Sequence, residues 1–297
     1  AYSLPRGPIH KWQSVSPHLP LPFLPFSNAQ VRFDRVDNVA VEIAGTPMQN
    51  PWSGGINYPL TSSVDMDGDG RKDLFVFDRF NNRVSCFLNT GSTNVVTAWQ
   101  YAPEMVQRFP PINKWALFYD YNCDGKEDLF MLSSQFPSGI AAWRNDYTPG
   151  SGLQFTLVNP FMRETFAGFP TNIFASAVSI PAFADVDSDG DMDIIGYNSV
   201  PDGRFIYHRN LSMDNYGTCD SLVYEWASAC WGNFALQVGG ANEVGCFHCP
   251  CRVGRPTEEP NPVLEPAYDP SDAARRDDTI SSIYLLDLDG DNDMDAL

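Results

Sequence analysis

Acidic side chains recur in this sequence at a spacing that suits a hard divalent cation. The stretch 65–73 places aspartates at positions 1, 3, 5 and 9 and a glycine at position 6. So many negative charges in so short a turn repel one another unless a cation lies between them. Side-chain oxygens at these positions, with the main-chain carbonyl of position 7, form a ligand set that suits Ca²⁺. The stretch therefore predicts a calcium loop.

Four such stretches occur, at 65–73, 120–128, 185–193 and 287–295. Their first residues are 55, 65 and 102 positions apart, and a recurrence of this kind indicates a repeated structural unit. The expected ligands are the side chains at positions 1, 3, 5 and 9 and the carbonyl at position 7. In chain order they are Asp65, Asp67, Asp69, Arg71, Asp73; Asp120, Asn122, Asp124, Lys126, Asp128; Asp185, Asp187, Asp189, Asp191, Asp193; and Asp287, Asp289, Asp291, Asp293, Asp295.

An EF-hand is another common calcium loop, but it does not fit these stretches. It needs a bidentate Glu at position 12 and a helix on each side, whereas the first three loops have Val76, Met131 and Gly196 there. Apolar runs flank each loop, so we expect each loop to join two β-strands. A turn and a third strand that ends in an aromatic residue and Asn complete the predicted unit.

The glycine at position 6 of such a loop usually needs the left-handed conformation that a Cβ atom disfavours. We therefore expect a positive φ at Gly70, Gly125 and Gly190. The fourth loop has Asn292 at this position, and Asn is the residue that best replaces Gly there.

The loops at 65–73, 120–128 and 185–193 resemble the D-x-[DN]-x-D-G-x-x-D signature of FG-GAP/VCBS-type repeats, which build calcium-bearing β-propellers such as the integrin α-subunit head. The stretch 89–91, Asn-x-Gly after the third strand, is also typical of that family. The resemblance spans roughly residues 50–297 and implies an all-β fold, a β-propeller with blades of antiparallel strands. The FG and GAP tripeptides that name the integrin branch are not evident.

Four loops mark at most four blades, fewer than a propeller of this family uses, and the fourth loop ends two residues before Leu297. An open arc of blades leaves unpaired strand edges and exposed apolar faces. We therefore expect further repeats, or a partner chain, to complete the ring.

The segment 210–221 together with the propeller is similar to large secreted proteins of the Bacteroidetes, which often leave the cell by type IX secretion. This resemblance implies a secreted or cell-surface protein, with the secretion machinery as one candidate partner. Calcium loops of this kind fill where calcium is near millimolar, which also indicates a location outside the cytosol.

The formal charge of −18 is concentrated in the predicted loops, which hold fifteen candidate ligand carboxylates. Four bound Ca²⁺ would leave a charge of about −10. The sequence has no basic stripe that would neutralise phosphates, which argues against a nucleic-acid partner. No apolar run approaches the length of a membrane span.

The predicted domain organisation is a Pro-rich extended arm at 1–30 followed by a propeller portion at 31–297. The longer gap between the third and fourth loops indicates an insertion at 211–270. Its second part is rich in proline and is expected to be a connector without regular structure.

Seven cysteines are present, and five of them lie between residues 219 and 251. The Cys-Phe-His-Cys-Pro-Cys run at 246–251 allows a zinc site. Disulfides are favoured, because an oxidising compartment promotes them and the second half of a common zinc motif is missing. Cys219 and Cys230 are one plausible pair, whereas Cys86 and Cys123 are expected to be structural.

No catalytic constellation is recognisable. The four histidines are scattered, no G-x-S-x-G or H-E-x-x-H motif occurs, and a carboxylate held by calcium cannot act as a general acid or base. The sequence therefore favours a calcium-binding module for adhesion, binding or structure, with a protein or glycan ligand. The alternative is an extracellular polysaccharide-active enzyme, a lyase or glycosidase, which should show a concave acidic or aromatic cluster away from the metal loops.

Overall fold

The computed structural model describes residue 36 and residues 39–135, 138–197, 204–236, 244–247, 281–282, 285–286 and 295–296. Residues 1–39 form a unit separate from the rest of the chain, and only Val36 and Val39, both exposed, are described in it. The Pro-rich arm predicted at 1–30 lies outside the described residues.

The first blade is a four-stranded antiparallel sheet whose strands follow one another in chain order. A short hairpin precedes it, formed by β1 (Glu42–Ile43) and β2 (Thr46–Pro47). The blade consists of β3 (Pro59–Val64), β4 (Asp73–Asp78), β5 (Arg83–Asn89) and β6 (Trp99–Tyr101). The loop 65–73 joins β3 to β4, so the first acidic loop connects two strands as predicted.

The second blade repeats this arrangement. A 3₁₀ helix (Pro103–Arg108) leads to it, and its strands are β7 (Ala116–Tyr119), β8 (Asp128–Leu132), β9 (Ile140–Asn145) and β10 (Phe155–Asn159). They are again antiparallel and ordered along the chain. The second strand of each blade is almost completely buried, which explains why these strands are apolar runs rather than alternating sequences.

The third blade has six strands. Its own four are β14 (Ala182–Ala184), β15 (Asp193–Tyr197), β16 (Phe205–Asn210) and β17 (Tyr224–Ser228), and the short helix α1 (Ser212–Tyr216) precedes β17. The hairpin of β11 (Arg163–Phe166) and β12 (Phe169–Asn172) extends the sheet, because β11 pairs in parallel with β17. The insertion predicted from residue 211 therefore begins with α1 and the fourth strand of a blade.

The remaining described elements are short. A 3₁₀ turn (Trp231–Asn233) is followed by the antiparallel pair β18 (Phe234–Leu236) and β19 (Val244–Phe247), and β20 (Ser281–Ser282) pairs in parallel with β13 (Ser179–Ile180). β21 (Leu285–Leu286) pairs with β22 (Asp295–Ala296), so the strands that flank the fourth loop are adjacent. Residues 287–294 of that loop lie outside the described residues.

The hydrophobic core lies between neighbouring blades. Phe75 of the first blade contacts Phe118 of the second at a ring-centroid distance of 4.9 Å, and Phe130 of the second contacts Phe183 of the third at 4.7 Å. Trp115 is fully buried, and its indole N–H donates to the Ser176 carbonyl at 2.9 Å. The fold is thus all-β, with propeller-type blades packed face to face. None of the described sheets closes on itself.

A disulfide also joins the second and third blades. Cys123 in the loop 120–128 is bonded to Cys219, which follows α1, with a Cα–Cα distance of 6.1 Å. The predicted pairing of Cys219 with Cys230 is therefore wrong, because packing of the blades brings a cysteine from a distant loop nearer. Cys230 is itself disulfide-bonded. Cys86 is free and buried, in agreement with its expected place in the core, and the 246–251 run lies outside the described side chains.

We expect Cys219→Ser to lower the free energy of unfolding by about 2–4 kcal/mol, because the bond closes a long loop in the unfolded chain. Urea unfolding of oxidised protein measures this loss. A reductant should weaken the wild type more than Cys219→Ser, because it breaks the bond of Cys230 in both proteins and the bond of Cys219 in the wild type alone. Cys86→Ala is the control. The difference in the free energy of unfolding between this variant and wild type should be the same with and without reductant. Coincident curves for oxidised wild type and Cys219→Ser would contradict the bond.

Candidate metal centres

The first aspartate of each described loop organises the turn. Asp65 accepts hydrogen bonds from the main-chain N–H groups of Gly68 and Gly70 at 2.7 and 2.9 Å. Asp120 and Asp185 each accept from positions 5 and 6 of their loops at 2.8–3.1 Å. The carboxylate thus holds the chain in a tight arc, because it replaces the partners that these N–H groups would otherwise find in a strand.

Two residues in every described loop have positive φ. The glycine at position 6 has a positive φ, as predicted, with values of 84° at Gly70, 82° at Gly125 and 98° at Gly190. Position 4 does so as well, at Gly68, Cys123 and Ser188, with φ of 78°, 57° and 61°. The positive φ of Cys123 and Ser188 was not predictable from sequence, since Cys and Ser are not residues that favour this conformation. Asn292 lies outside the described residues.

The aspartate at position 9 is buried at the start of the second strand in each blade. Asp73 accepts from the N–H of Met66 in its own loop at 2.8 Å and from the N–H of Asn89 at 2.7 Å. Asp128 and Asp193 accept from the corresponding residues of their blades at 2.7–3.3 Å. All three side chains are at most 1 % exposed. Position 9 therefore fastens the loop to the third strand of the blade.

The asparagine that ends the third strand takes part in the same junction. Its side chain donates to the carbonyl of position 8 in the first two blades, from Asn89 to Lys72 and from Asn145 to Glu127, at 3.1 Å in both. In the third blade Asn210 donates instead to Ser221 at 3.2 Å. The sequence showed this asparagine as a recurring strand end but did not show its contact with the loop.

Carboxylates converge in the first and third loops. One oxygen each of Asp65, Asp67 and Asp73 lie within 4.8 Å of one another, and the same holds for Asp185, Asp187 and Asp193. Ligand oxygens about 2.3–2.6 Å from a shared Ca²⁺ are at most about 5 Å apart, so both groups fit around one ion. In the second loop, Asp120 and Asn122 both accept from the N–H of Asp124 at 3.1 Å, which places their oxygens side by side.

The aspartate at position 5 behaves differently in the three loops. Asp69 pairs with Arg71, and Asp124 pairs with Lys126, so two of these carboxylates turn towards the basic residue at position 7. In the third loop one oxygen of Asp189 and one of Asp191 are buried without a hydrogen-bond partner. Arg209 lies 4.0 Å from the Asp189 oxygen, too far for a hydrogen bond. Unsatisfied buried carboxylate oxygens are costly, and a cation bound in the loop would compensate them.

Burial raises the pKa of several of these carboxyl groups. It raises the pKa of Asp128 and of Asp193 to about 7, although main-chain N–H groups that donate to them act in the opposite direction. It also raises the pKa of Asp191 to about 6, and of Asp73 and Asp185 above the usual range. Negative charge in these loops is therefore poorly solvated, and a bound cation would stabilise the ionised form.

A second group of polar residues lies away from the loops and was not found from the sequence. Glu164 of β11 and His208 of β16 are buried, and Nδ1 of His208 lies 2.5 Å from Oε2 of Glu164. The two residues are far apart in the chain, and only the added hairpin of the third blade brings them together.

Comparison with known families supports the repeat assignment. Residues 65–131 and 120–196 match the sequence model of the FG-GAP-like repeat. Each match begins at one acidic loop and ends in the strand that follows the next acidic loop. No curated protein and no solved structure gave a significant match. FG-GAP repeats form propeller-type folds and occur in extracellular and cell-surface proteins. Every helix in the described part of the chain is too short or too polar to span a bilayer.

Gly68→Ala should destabilise the protein more than Gly70→Ala. Both residues have a similar positive φ, so a Cβ costs each about 1–2 kcal/mol in backbone strain. At Gly70 a Cβ meets nothing within 4 Å, whereas at Gly68 it would lie 1.8 Å from the Tyr147 hydroxyl oxygen. Thermal unfolding of the two variants isolates the clash. Tyr147→Ala should cost less in the Gly68→Ala background than in wild type, because it also removes the clash, and a simple sum of the single effects would contradict this geometry.

Proposed function

We propose that this chain is a calcium-binding β-propeller module that acts outside the cell and binds a protein or a glycan. The observation that carries the proposal is the convergence of three carboxylates in the loop 65–73 and again in the loop 185–193. Calcium occupies the loops and holds the strands of each blade together. FG-GAP repeats suggest a binding or structural module, and the proposal adds the metal and the location.

Calcium fits these loops better than other common metals. Their side-chain ligands are all oxygens, which excludes the nitrogen and sulfur sets typical of zinc. The carbonyl oxygens of position 7 add a neutral ligand at Arg71, Lys126, Asp191 and, in the fourth loop, Asp293. Mg²⁺ requires a nearly ideal octahedron and releases its water reluctantly, whereas an irregular loop with six or more oxygens suits Ca²⁺.

The disulfide chemistry supports an extracellular location. The bond between Cys123 and Cys219, together with the bonded state of Cys230, is typical of an oxidising compartment. The proposal includes type IX secretion because the segment 210–221 resembles secreted Bacteroidetes proteins.

An enzyme is the second candidate, because the structure has a concave cluster of the expected kind. Glu164 lines a cavity of about 410 Å³ beside the third blade, together with aromatic side chains. Glycoside hydrolysis commonly uses two carboxylates that flank the bond to be cleaved. Among the described residues that line this cavity, Glu164 alone carries a carboxylate. We therefore propose binding rather than catalysis.

Chelation of calcium should lower the melting temperature by well over ten degrees, because each site filled at a hundredfold excess over its Kd contributes about 2.7 kcal/mol. Differential scanning calorimetry with Ca²⁺ and with EDTA measures this shift. An unchanged melting curve in EDTA would overturn the calcium assignment.

Variants of Asp67 test a single site. Asp67→Ala should remove one Ca²⁺ from the stoichiometry measured by calorimetric titration and lower the melting temperature only when calcium is present. Asp67→Asn should keep the site with weaker affinity, because the second loop has Asn122 at the same position. The exposed residue Glu42 supplies the control Glu42→Gln, which should leave the stoichiometry unchanged. Equal stoichiometry in Asp67→Ala and wild type would contradict the ligand set.

A further inference from the structure

The cavity beside the third blade is formed by an addition to the propeller blade. The hairpin Arg163–Asn172 joins the sheet through parallel pairing of Glu164 with Tyr224 and of Thr165 with Glu225. Side chains of this hairpin and of β16 and β17, together with Ser138 and Phe174, line a partly open space of about 410 Å³. Pockets for small ligands in proteins measure about 300–1,000 Å³, so this space is large enough for one small molecule.

A buried polar pair lies at the base of the cavity. Glu164 and His208 have side chains that are 1 % exposed, and Nδ1 of His208 lies 2.5 Å from Oε2 of Glu164. The Thr171 hydroxyl donates to the other carboxylate oxygen at 3.5 Å. The Glu164 carboxylate thus fixes the orientation of the imidazole ring, as a carboxylate does for many functional histidines.

The other ring nitrogen of His208 has no hydrogen-bond partner. Its Nε2 atom is buried and unpaired, and leaving a buried polar atom in this state is costly. The neighbouring residue Gly196 has no side chain, and a Cβ there would lie 3.3 Å from Nε2. The structure therefore keeps an unpaired polar atom beside a cavity and leaves out a side chain that would crowd it.

Aromatic rings form the walls. Trp226 lies edge-on to the His208 ring at a centroid distance of 5.9 Å, and Phe166 lies against Trp226 at 5.0 Å. Phe174 also lines the cavity. Phe166 is 46 % exposed, so one of the aromatic side chains that line the cavity is also accessible to solvent.

We propose that this cavity binds a neutral sugar residue. A hydroxyl group can accept from Nε2 if the ring is an imidazolium and can donate to Nε2 if the ring is neutral, so it satisfies His208 in either state. An ammonium group suits only the neutral ring, and the carboxylate of Glu164 disfavours an anion. The C–H groups of a sugar ring pack against the electron-rich faces of Trp226 and Phe166.

This assignment rests on the proposal that the chain is a binding module, but it does not involve the calcium loops. The test uses the whole chain with Ca²⁺ present, titrated with methyl glycosides of glucose, galactose, mannose and N-acetylglucosamine. Choline and acetate serve as the cationic and anionic probes. Tryptophan fluorescence and saturation-transfer NMR detect the binding. We expect at least one glycoside to bind saturably and choline and acetate to give no signal.

Variants locate the site. Trp226→Ala and Phe166→Ala should each weaken the binding about tenfold or more, because each removes a ring that the sugar contacts. Trp99→Ala is the control, since Trp99 is a partly exposed tryptophan of the first blade and its loss should leave the affinity unchanged. Phe166→Ala alters a half-exposed side chain, so it keeps the test valid if Trp226→Ala does not fold.

Three results would overturn the proposal. They are the absence of binding by every glycoside, an affinity that is unchanged in Phe166→Ala, and saturable binding of choline or acetate in place of sugar. The melting temperature with and without EDTA is measured on the same preparations. A calcium-dependent fold without sugar binding would refute the cavity assignment alone, whereas sugar binding by a chain that does not respond to EDTA would refute the calcium assignment alone.

Discussion

The structure depends on one buried junction that recurs in each described blade. An aspartate at the start of the second strand accepts one hydrogen bond from the loop before it and one from the end of the third strand, as Asp73 does from Met66 and Asn89. These bonds link three segments that are separated in the chain. Because the aspartate is buried, loss of the carboxylate would leave two main-chain donors without a partner. The same side chain is a predicted calcium ligand, so the predicted metal site and the strand packing share one group.

Features that depend on nearby residues were predictable from the sequence. The acidic spacing, the glycine at position 6 and the apolar flanks all lie within about fifteen residues of one another, and together they gave the loop, its left-handed turn and the two strands it joins. Local chemistry determines these features, since the turn and the apolar flanks are properties of one short segment. The all-β propeller fold that the resemblance to FG-GAP-type repeats implied is confirmed.

Features that depend on packing were not predictable. Cys123 pairs with Cys219 across 96 residues of sequence, and a nearer cysteine was the plausible partner when only the sequence was considered. Glu164 meets His208 because a hairpin adds to a blade in parallel orientation, which the strand pattern does not encode. The residue types also did not predict the positive φ of Cys123 and Ser188, because the loop imposes a conformation that these residues do not favour.

The three described loops are chemically unequal despite their common pattern. In the third loop Arg209 donates to Asp187 at 2.7 Å and lies 2.7 Å from Asp214, whereas the first two loops pair their position-5 carboxylates with Arg71 and Lys126. These basic groups partly neutralise each loop, although exposed pairs of this kind contribute little to stability. A cation that enters the third loop must share Asp187 with an arginine, so the loops should differ in affinity.

The outer strand of each blade carries a different obstacle to pairing with a further strand. In the first blade the outer strand, β6, is only three residues long. In the second, the register of β10 shifts between Leu157 and Asn159, and in the third, β12 contains Pro170, which has no N–H to donate. Short, irregular or proline-bearing edges prevent one sheet from adding to another. Several similar sheets can therefore lie side by side in one chain, each ending at its own edge instead of fusing with a copy from another molecule.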